Sequence, residues 1–346
     1  MLSVCLINYF IDPNQIYNFR NTSSETKKFV NKMINSKELI MPNIDINERE
    51  MKKSLAYIAT DKNCAVLGSS HIAQIRSDMI STSFRKICTS LINLGVSGGS
   101  IEDIFIFSEI LLNKSSPPKT IIIEIAPWTF NYGRDRRWYS NKNIFYNMKL
   151  RLADGSEDLH INKQNYIPLF ALLKNLFNKD YFISSLNLIY EKLKKKFLKE
   201  KYNFNTDTSF NKEGATILSK NYHEQHKYDK FKDYSTDSYK ITKNSWTQDL
   251  AVDEFNKFVK ILKEKFNIVL LMTPYHPDVF KKKGQPVLTA IKIVEETVHE
   301  IANKNNLQVI GSFYPEFSNC DKYEFWNSNH AKTTCLKKLK IQKQLN

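Results

Sequence analysis

Apolar residues in this chain fall into short unbroken runs, set between longer stretches where they recur every three or four positions. Runs at 64–67, 86–93, 120–126, 267–272 and 307–310 have strand length. A run without polar alternation suits a parallel strand covered on both faces. Helical spacing marks 23–36, 45–57, 71–80, 101–112, 248–266 and 287–305, and a last helix opens near His330. Ser100 with Asp103 opens the 101–112 helix in the manner of a capping box, and Pro117-Pro118 stop it. Five strands alternating with helices predict an α/β fold, a flavodoxin-like doubly wound parallel sheet. Ligands of such sheets bind past the carboxyl ends of the strands. Ser70, Gly98, Pro127 and His276 each come directly after a strand, so they should converge on one crevice.

The alternation lapses between 128 and 245. Aromatics crowd its start (Trp128, Phe130, Tyr132, Trp138, Tyr139, Phe145, Tyr146), helical spacing returns around 165–200, and 201–245 is polar and reads as loop. This is a mostly helical and loop insertion, or lid, within a domain spanning 58–346. Residues 1–57 form an N-terminal segment. Its apolar 1–11 is too short to cross a bilayer, and reads either as the tail of a membrane anchor or as an edge strand or helix of the domain.

A length of 346 residues with 42% hydrophobic and 25% charged residues belongs to a globular protein with ample core. The net charge of +15 comes from 51 Lys+Arg against 36 Asp+Glu. The excess is lysine, and the one dense arginine cluster is Arg134-Asp135-Arg136-Arg137. A lysine-rich surface attracts polyanions or anionic lipid. Base reading favours arginine, and no nucleic-acid motif is present, so no nucleic-acid partner is expected. The cysteines include no C-x-x-C pair, which argues against a zinc or thioredoxin motif. Cys64 and Cys88 read as small core residues, while Cys320 and Cys335 either pair in an oxidising compartment or stay free thiols.

Gly68-Ser69-Ser70 ends the first strand with a tight turn and a capping serine, which leaves a hydroxyl beside backbone N–H groups at a helix start. Three more blocks stand further along: Asn93-Leu-Gly-Val-Ser-Gly98-Gly-Ser, Glu124-Ile-Ala-Pro-Trp128, and Phe325-Trp-Asn327-Ser-Asn-His330. Together they resemble the SGNH (GDSL-like) hydrolase and acyltransferase superfamily over about 60–127 and 265–345. Within it they are most similar to the cell-surface polysaccharide branch, which includes alginate O-acetyltransferases and the teichoic-acid D-alanyl transfer protein.

The resemblance implies Ser70 as nucleophile, His330 as its base, Asn327 in the place of the orienting acid, and the N–H groups of Ser70 and Gly98 as oxyanion donors. Serine needs an imidazole to take its proton, and the tetrahedral oxyanion needs preplaced donors. Two departures from the family pattern stand out. Pro127, which has no N–H, sits where an asparagine donor is usual, with Asn131 nearby. Asn327 replaces an aspartate, with Asp321 or Glu324 as alternative orienters. His276, Trp128, Asn131, Arg134 and Arg137 are candidate substrate contacts, the aromatics by stacking on sugar rings and the arginines by holding an anionic group. His71 should begin the helix and point elsewhere. The implied activity is an esterase or O-acyltransferase on a cell-surface polysaccharide or its precursor, without metal or cofactor. Its partners would be an acylated sugar or glycan and a membrane surface or membrane acyl-donor protein, and its place the cell envelope or periplasm. The competing expectations are a catalytically weak glycan-binding or assembly protein, and a cytoplasmic location.

Overall fold

The computed structural model describes residues 2–13, 17, 23–42, 46–133, 135–153, 176–198, 208–225, 239, 246–281 and 285–342. Along the chain run α1 (Leu2–Ile11), α2 (Ser23–Asn35), α3 (Glu48–Ile58), β1 (Cys64–Gly68), α4 (Thr82–Arg85), β2 (Leu91–Gly95), α5 (Ile101–Leu112) and β3 (Thr120–Glu124). Then come α6 (Lys142–Leu152), α7 (Lys179–Leu198), β4 (Thr208–Phe210), β5 (Thr216–Leu218), α8 (Lys220–Gln225) and α9 (Trp246–Lys263). The last elements are β6 (Asn267–Met272), α10 (Pro286–Asn305), β7 (Gln308–Gly311) and α11 (Thr333–Leu336).

Five strands form one all-parallel sheet in the order β2-β1-β3-β6-β7, the doubly wound order of flavodoxin-like folds. Its strands are buried on both faces, which is why they read as unbroken apolar runs. Ala65, Leu67, Ile121, Ile123, Leu270 and Met272 point into the core formed with the helices. Cys64, Val66, Ile122, Val269 and Leu271 point into a second core with Phe84, Phe325 and Leu336. The winding of the sheet reverses between β1 and β3, so the loops leaving these two strands flank the crevice where this sheet type binds ligands.

Residues of α2 and α3, among them Phe29, Val30, Met51 and Leu55, enter the same core as the sheet. Helix α1 lies on α7, where Asn8 donates to Leu176 O (2.9 Å) and accepts from Ser185 Oγ (3.0 Å). Among the described residues no helix is long and apolar enough to cross a membrane. The Cys320–Cys335 pair is formed; Cys64 and Cys88 are buried in the second core, as expected of small core residues, and are in addition paired with each other.

Part of the stretch 201–245 is not loop: β4 and β5 form a hairpin, with α8 directly after it. The hairpin is keyed to the sheet edge. Glu213 O accepts from Asn93 N (2.8 Å), and Thr216 N donates to Ala73 O (2.7 Å). The fully buried Lys52 ammonium donates to Asn93 O (2.9 Å) and Gly214 O (2.7 Å). Burial pushes its pKa down to about 8, against the opposing pull of the Glu48 carboxylate. The strands β4 and β5 are only three residues each, too short for alternation to show against the polar sequence around them.

Candidate active site

The chain leaves β1 at Gly68 with φ of 153°, and a Cβ there would lie 2.6 Å from Glu124 Cβ, so the position excludes side chains twice over. Ser69 caps the next turn, its Oγ accepting from His71 N (3.3 Å). Over 71–80 the chain forms two single 3₁₀ turns, Ser70–Ile72 and Ser77–Met79, and not the expected helix. Helical acceptors are taken by groups from outside: Asn93 Nδ2 donates to Ile72 O (2.7 Å) and Ile75 O (2.8 Å), and Thr216 N to Ala73 O (2.7 Å). No helix macrodipole therefore acts at Ser70. Its backbone N–H nonetheless makes no hydrogen bond among the described residues, and its side chain is half-buried.

The base arrives on a small hairpin near the C-terminus. Trp326 N donates to His330 O (2.8 Å) and Lys332 N to Glu324 O (2.7 Å), which leaves Asn327, Ser328 and Asn329 at the tip. Cys320–Cys335 brackets this hairpin, and His276 N braces its tip by donating to Ser328 O (3.0 Å). The tip brings His330 Nε2 to 2.9 Å from Ser70 Oγ across 260 residues of sequence.

Asn327 supplies the orienting group. Its Oδ1 lies 2.9 Å from His330 Nδ1 and also accepts from the backbone N–H groups of Asn329 (3.1 Å) and His330 (3.0 Å). A backbone N–H only donates, so the amide atom facing His330 must be the oxygen. That oxygen can only accept, which puts the ring proton on Nδ1 and leaves the Nε2 lone pair for the Ser70 hydroxyl. Burial, with His71 alongside, pushes the His330 pKa down to about 3, and the ring is neutral at pH 7. Asp321 and Glu324 are engaged elsewhere: Asp321 caps the turn at Lys322–Glu324, and Glu324 pairs with Lys338 (2.6 Å).

Gly98 has φ of 62°, and a Cβ on it would lie 2.6 Å from Arg137 Nη2 and 2.7 Å from Asp135 Oδ2. Its neighbour Gly99 packs on the turn that holds the serine, where a Cβ would be 3.0 Å from Ser69 Cα. Arg137 donates to Asp135 and to Ser97 O (2.7 Å), so it braces the Gly98 loop and is not spare charge for a substrate. Burial alone would raise the Asp135 pKa, but hydrogen bonding to Arg137 and the nearby Arg49 hold it below the usual carboxylate range. Arg134 lies outside the described residues.

Two other expected substrate contacts are enclosed. Trp128 is 3% exposed and donates to Gly99 O (2.9 Å), its ring edge-on to His71. His276 is 1% exposed, and its Nδ1 accepts from Asp278 N (3.0 Å). Both serve the frame of the site and present no face to a sugar. Asn131 is partly exposed in the turn after β3, its N–H on Trp128 O (2.9 Å).

His71 does not point away from the site. Its ring is buried directly behind the base, 5.2 Å from the His330 ring centroid. Its Nε2 meets Asn329 Nδ2 at 3.0 Å, and its Nδ1 lies 3.3 Å from Glu124 Oε1. Glu124 Oε2 accepts from Ser69 N (2.7 Å). A carboxylate and a second imidazole thus tie the nucleophile turn to the hairpin tip. The signal for Glu124 was a lone acid ending the apolar run Thr120-Ile-Ile-Ile-Glu124. On the open side, His223 and Tyr222 of α8 meet Trp326 edge-on at 4.7 and 5.4 Å.

No protein-family model matches this chain, and no curated protein matches it.

Proposed function

We propose that the chain is a serine-dependent esterase or O-acyltransferase of the SGNH kind, acting on acyl esters of a cell-surface polysaccharide or its precursor. The observation that carries this is the Ser70–His330–Asn327 array, with both contacts at 2.9 Å and the imidazole tautomer fixed by the pinned amide oxygen. Ser70 Oγ attacks the acyl carbon while its proton passes to His330 Nε2. The carbonyl electron pair moves onto an oxyanion met by the Ser70 and Gly98 N–H groups. Collapse expels the alcohol, which takes the proton from His330, and leaves an acyl-serine. Water or a sugar hydroxyl then attacks by the same steps in reverse. Two buried cysteine pairs favour an oxidising compartment such as the cell envelope.

A second reading is a glycan-binding or assembly protein with little activity. It is favoured by the neutral Asn327, which offers no counter-charge to an imidazolium, and by Pro127, which has no N–H to offer the oxyanion. A fluorophosphonate probe separates the two. Labelling of the wild type but not of Ser70→Ala supports the enzyme; labelling of neither overturns it in favour of the binding protein.

A further inference from the structure

Away from the serine, residues from the ends of α6 and α10 and from one face of α9 line a cavity of about 480 Å³. That volume is within the roughly 300–1,000 Å³ of small-molecule sites. Lys260 and Lys304 stand in the last turns of helices that lead into β6 and β7, at the amino end of the sheet, whereas Ser70 follows the carboxyl end of β1. The most buried residue of the lining is Lys149, whose ammonium is paired with Glu254 Oε1. Glu254 Oε2 accepts from Tyr132 OH, so both oxygens of that carboxylate are occupied. Further out are the exposed Lys257, Lys260 and Lys304, and none of them meets a carboxylate within ion-pair distance among the described residues. Asn305 Nδ2 donates to Asn256 Oδ1 (2.8 Å), which ties α9 to the end of α10 and keeps the three lysines on one space.

We propose that this cavity binds a phosphate monoester with an apolar body, held by the ammonium groups of Lys257, Lys260 and Lys304. Charge chooses the head group. Asp253 is the other carboxylate of the lining, one turn before Lys257 and not paired with it, so three positive charges face one negative. A phosphate monoester is close to a dianion at pH 7, which matches that excess. Lysine holds phosphate as a point charge and needs no fixed fork geometry. The rest of the lining chooses the body. Leu152, Ala153 and Leu250 give the cavity an apolar side, and the lysine stems extend it. A bare phosphate ion would leave that side wet, whereas an ester carrying an apolar group covers it.

The test is calorimetric titration of the full chain with phenyl phosphate, beside inorganic phosphate, benzyl alcohol and phosphatidic-acid vesicles. Phenyl phosphate should bind saturably, more tightly than inorganic phosphate, and more weakly as salt is raised. Lys257→Gln with Lys260→Gln and Lys304→Gln should weaken it about 10-fold or more at a nearly unchanged melting temperature. Arginine at the same three positions should retain binding, and Ser70→Ala should bind as the wild type does. Binding to the vesicles alone, lost in the same glutamine variant, would support the same chemistry and assign the phosphate to a lipid headgroup. Four results overturn the proposal. They are binding of neither phenyl phosphate nor the vesicles, binding that the glutamine variant leaves unchanged, equal weakening by Lys27→Gln with Lys28→Gln on the distant α2, and binding of benzyl alcohol as tight as that of phenyl phosphate.

Discussion

Asn327→Asp puts the logic of the site to its sharpest test. The carboxylate would inherit the three N–H contacts now made by Asn327 Oδ1, from Asn329 N, His330 N and His330 Nδ1, so the ring tautomer should hold. What changes is charge. A unit charge about 4 Å from an imidazolium is worth about 4 kcal/mol at an effective dielectric of about 20. Desolvation of the new carboxylate takes part of that back, and a rise of about 1–3 pH units in the His330 pKa is the usual net effect of such a neighbour. The starting point is about 3, where the imidazole is a weak base. If about half of the gain in basicity appears in the rate, kcat/KM at pH 7 rises about 3- to 30-fold. The assay is hydrolysis of p-nitrophenyl acetate from pH 4 to pH 9. An acid limb should enter that window in the variant, because protonation of His330 now occurs at higher pH. A folded variant with lower activity and an unmoved acid limb would refute the assignment of Asn327 as a neutral orienter.

Glu124→Gln keeps an acceptor for Ser69 N but removes the charge behind His71; kcat for p-nitrophenyl acetate should fall about 10-fold, with KM and melting temperature nearly unchanged. Glu102 is buried, which pushes its pKa up to about 7 against the hydrogen bonds from Ser100 Oγ and Gly133 N. A raised carboxyl pKa gives stability that is present below the unfolded value and lost as pH climbs through the folded one. Glu102→Gln should therefore match the wild type near pH 4 and exceed it by on the order of 1–3 kcal/mol at pH 8 in denaturant titrations. Cys320→Ser with Cys335→Ser opens a loop of 15 residues that carries Asn327 and His330, and should cost about 3 kcal/mol in denaturant melts. It should also slow fluorophosphonate labelling of Ser70 more than Cys64→Ser with Cys88→Ser does.

The sheet was legible in the sequence because each strand is covered on both faces, and such coverage leaves unbroken apolar runs. Helix Ile101–Leu112 was legible to the residue because its capping box and its proline stop are local signals. The turn after Ser70 was not, because its conformation is decided by Asn93 and Thr216, which lie distant in sequence. Ser70, Asn327 and His330 stood in recognisable blocks, whereas Glu124 and His71 act by packing between blocks and announce themselves only weakly. Trp128, His276 and Arg137 have side chains that suit sugar binding, but residue type does not report burial or prior commitment to Gly99, Asp278 and Asp135.

Lys52 makes the β4–β5 hairpin inseparable from the domain it interrupts. Cutting out that hairpin would strip Gly214 O from a positive charge sealed inside the protein, and would loosen the same asparagine, Asn93, that shapes the nucleophile's turn. The segment behaves as a keystone, not a cover: it holds its place while substrates come and go, and a shortened chain lacking it should lose the serine's geometry along with its stability.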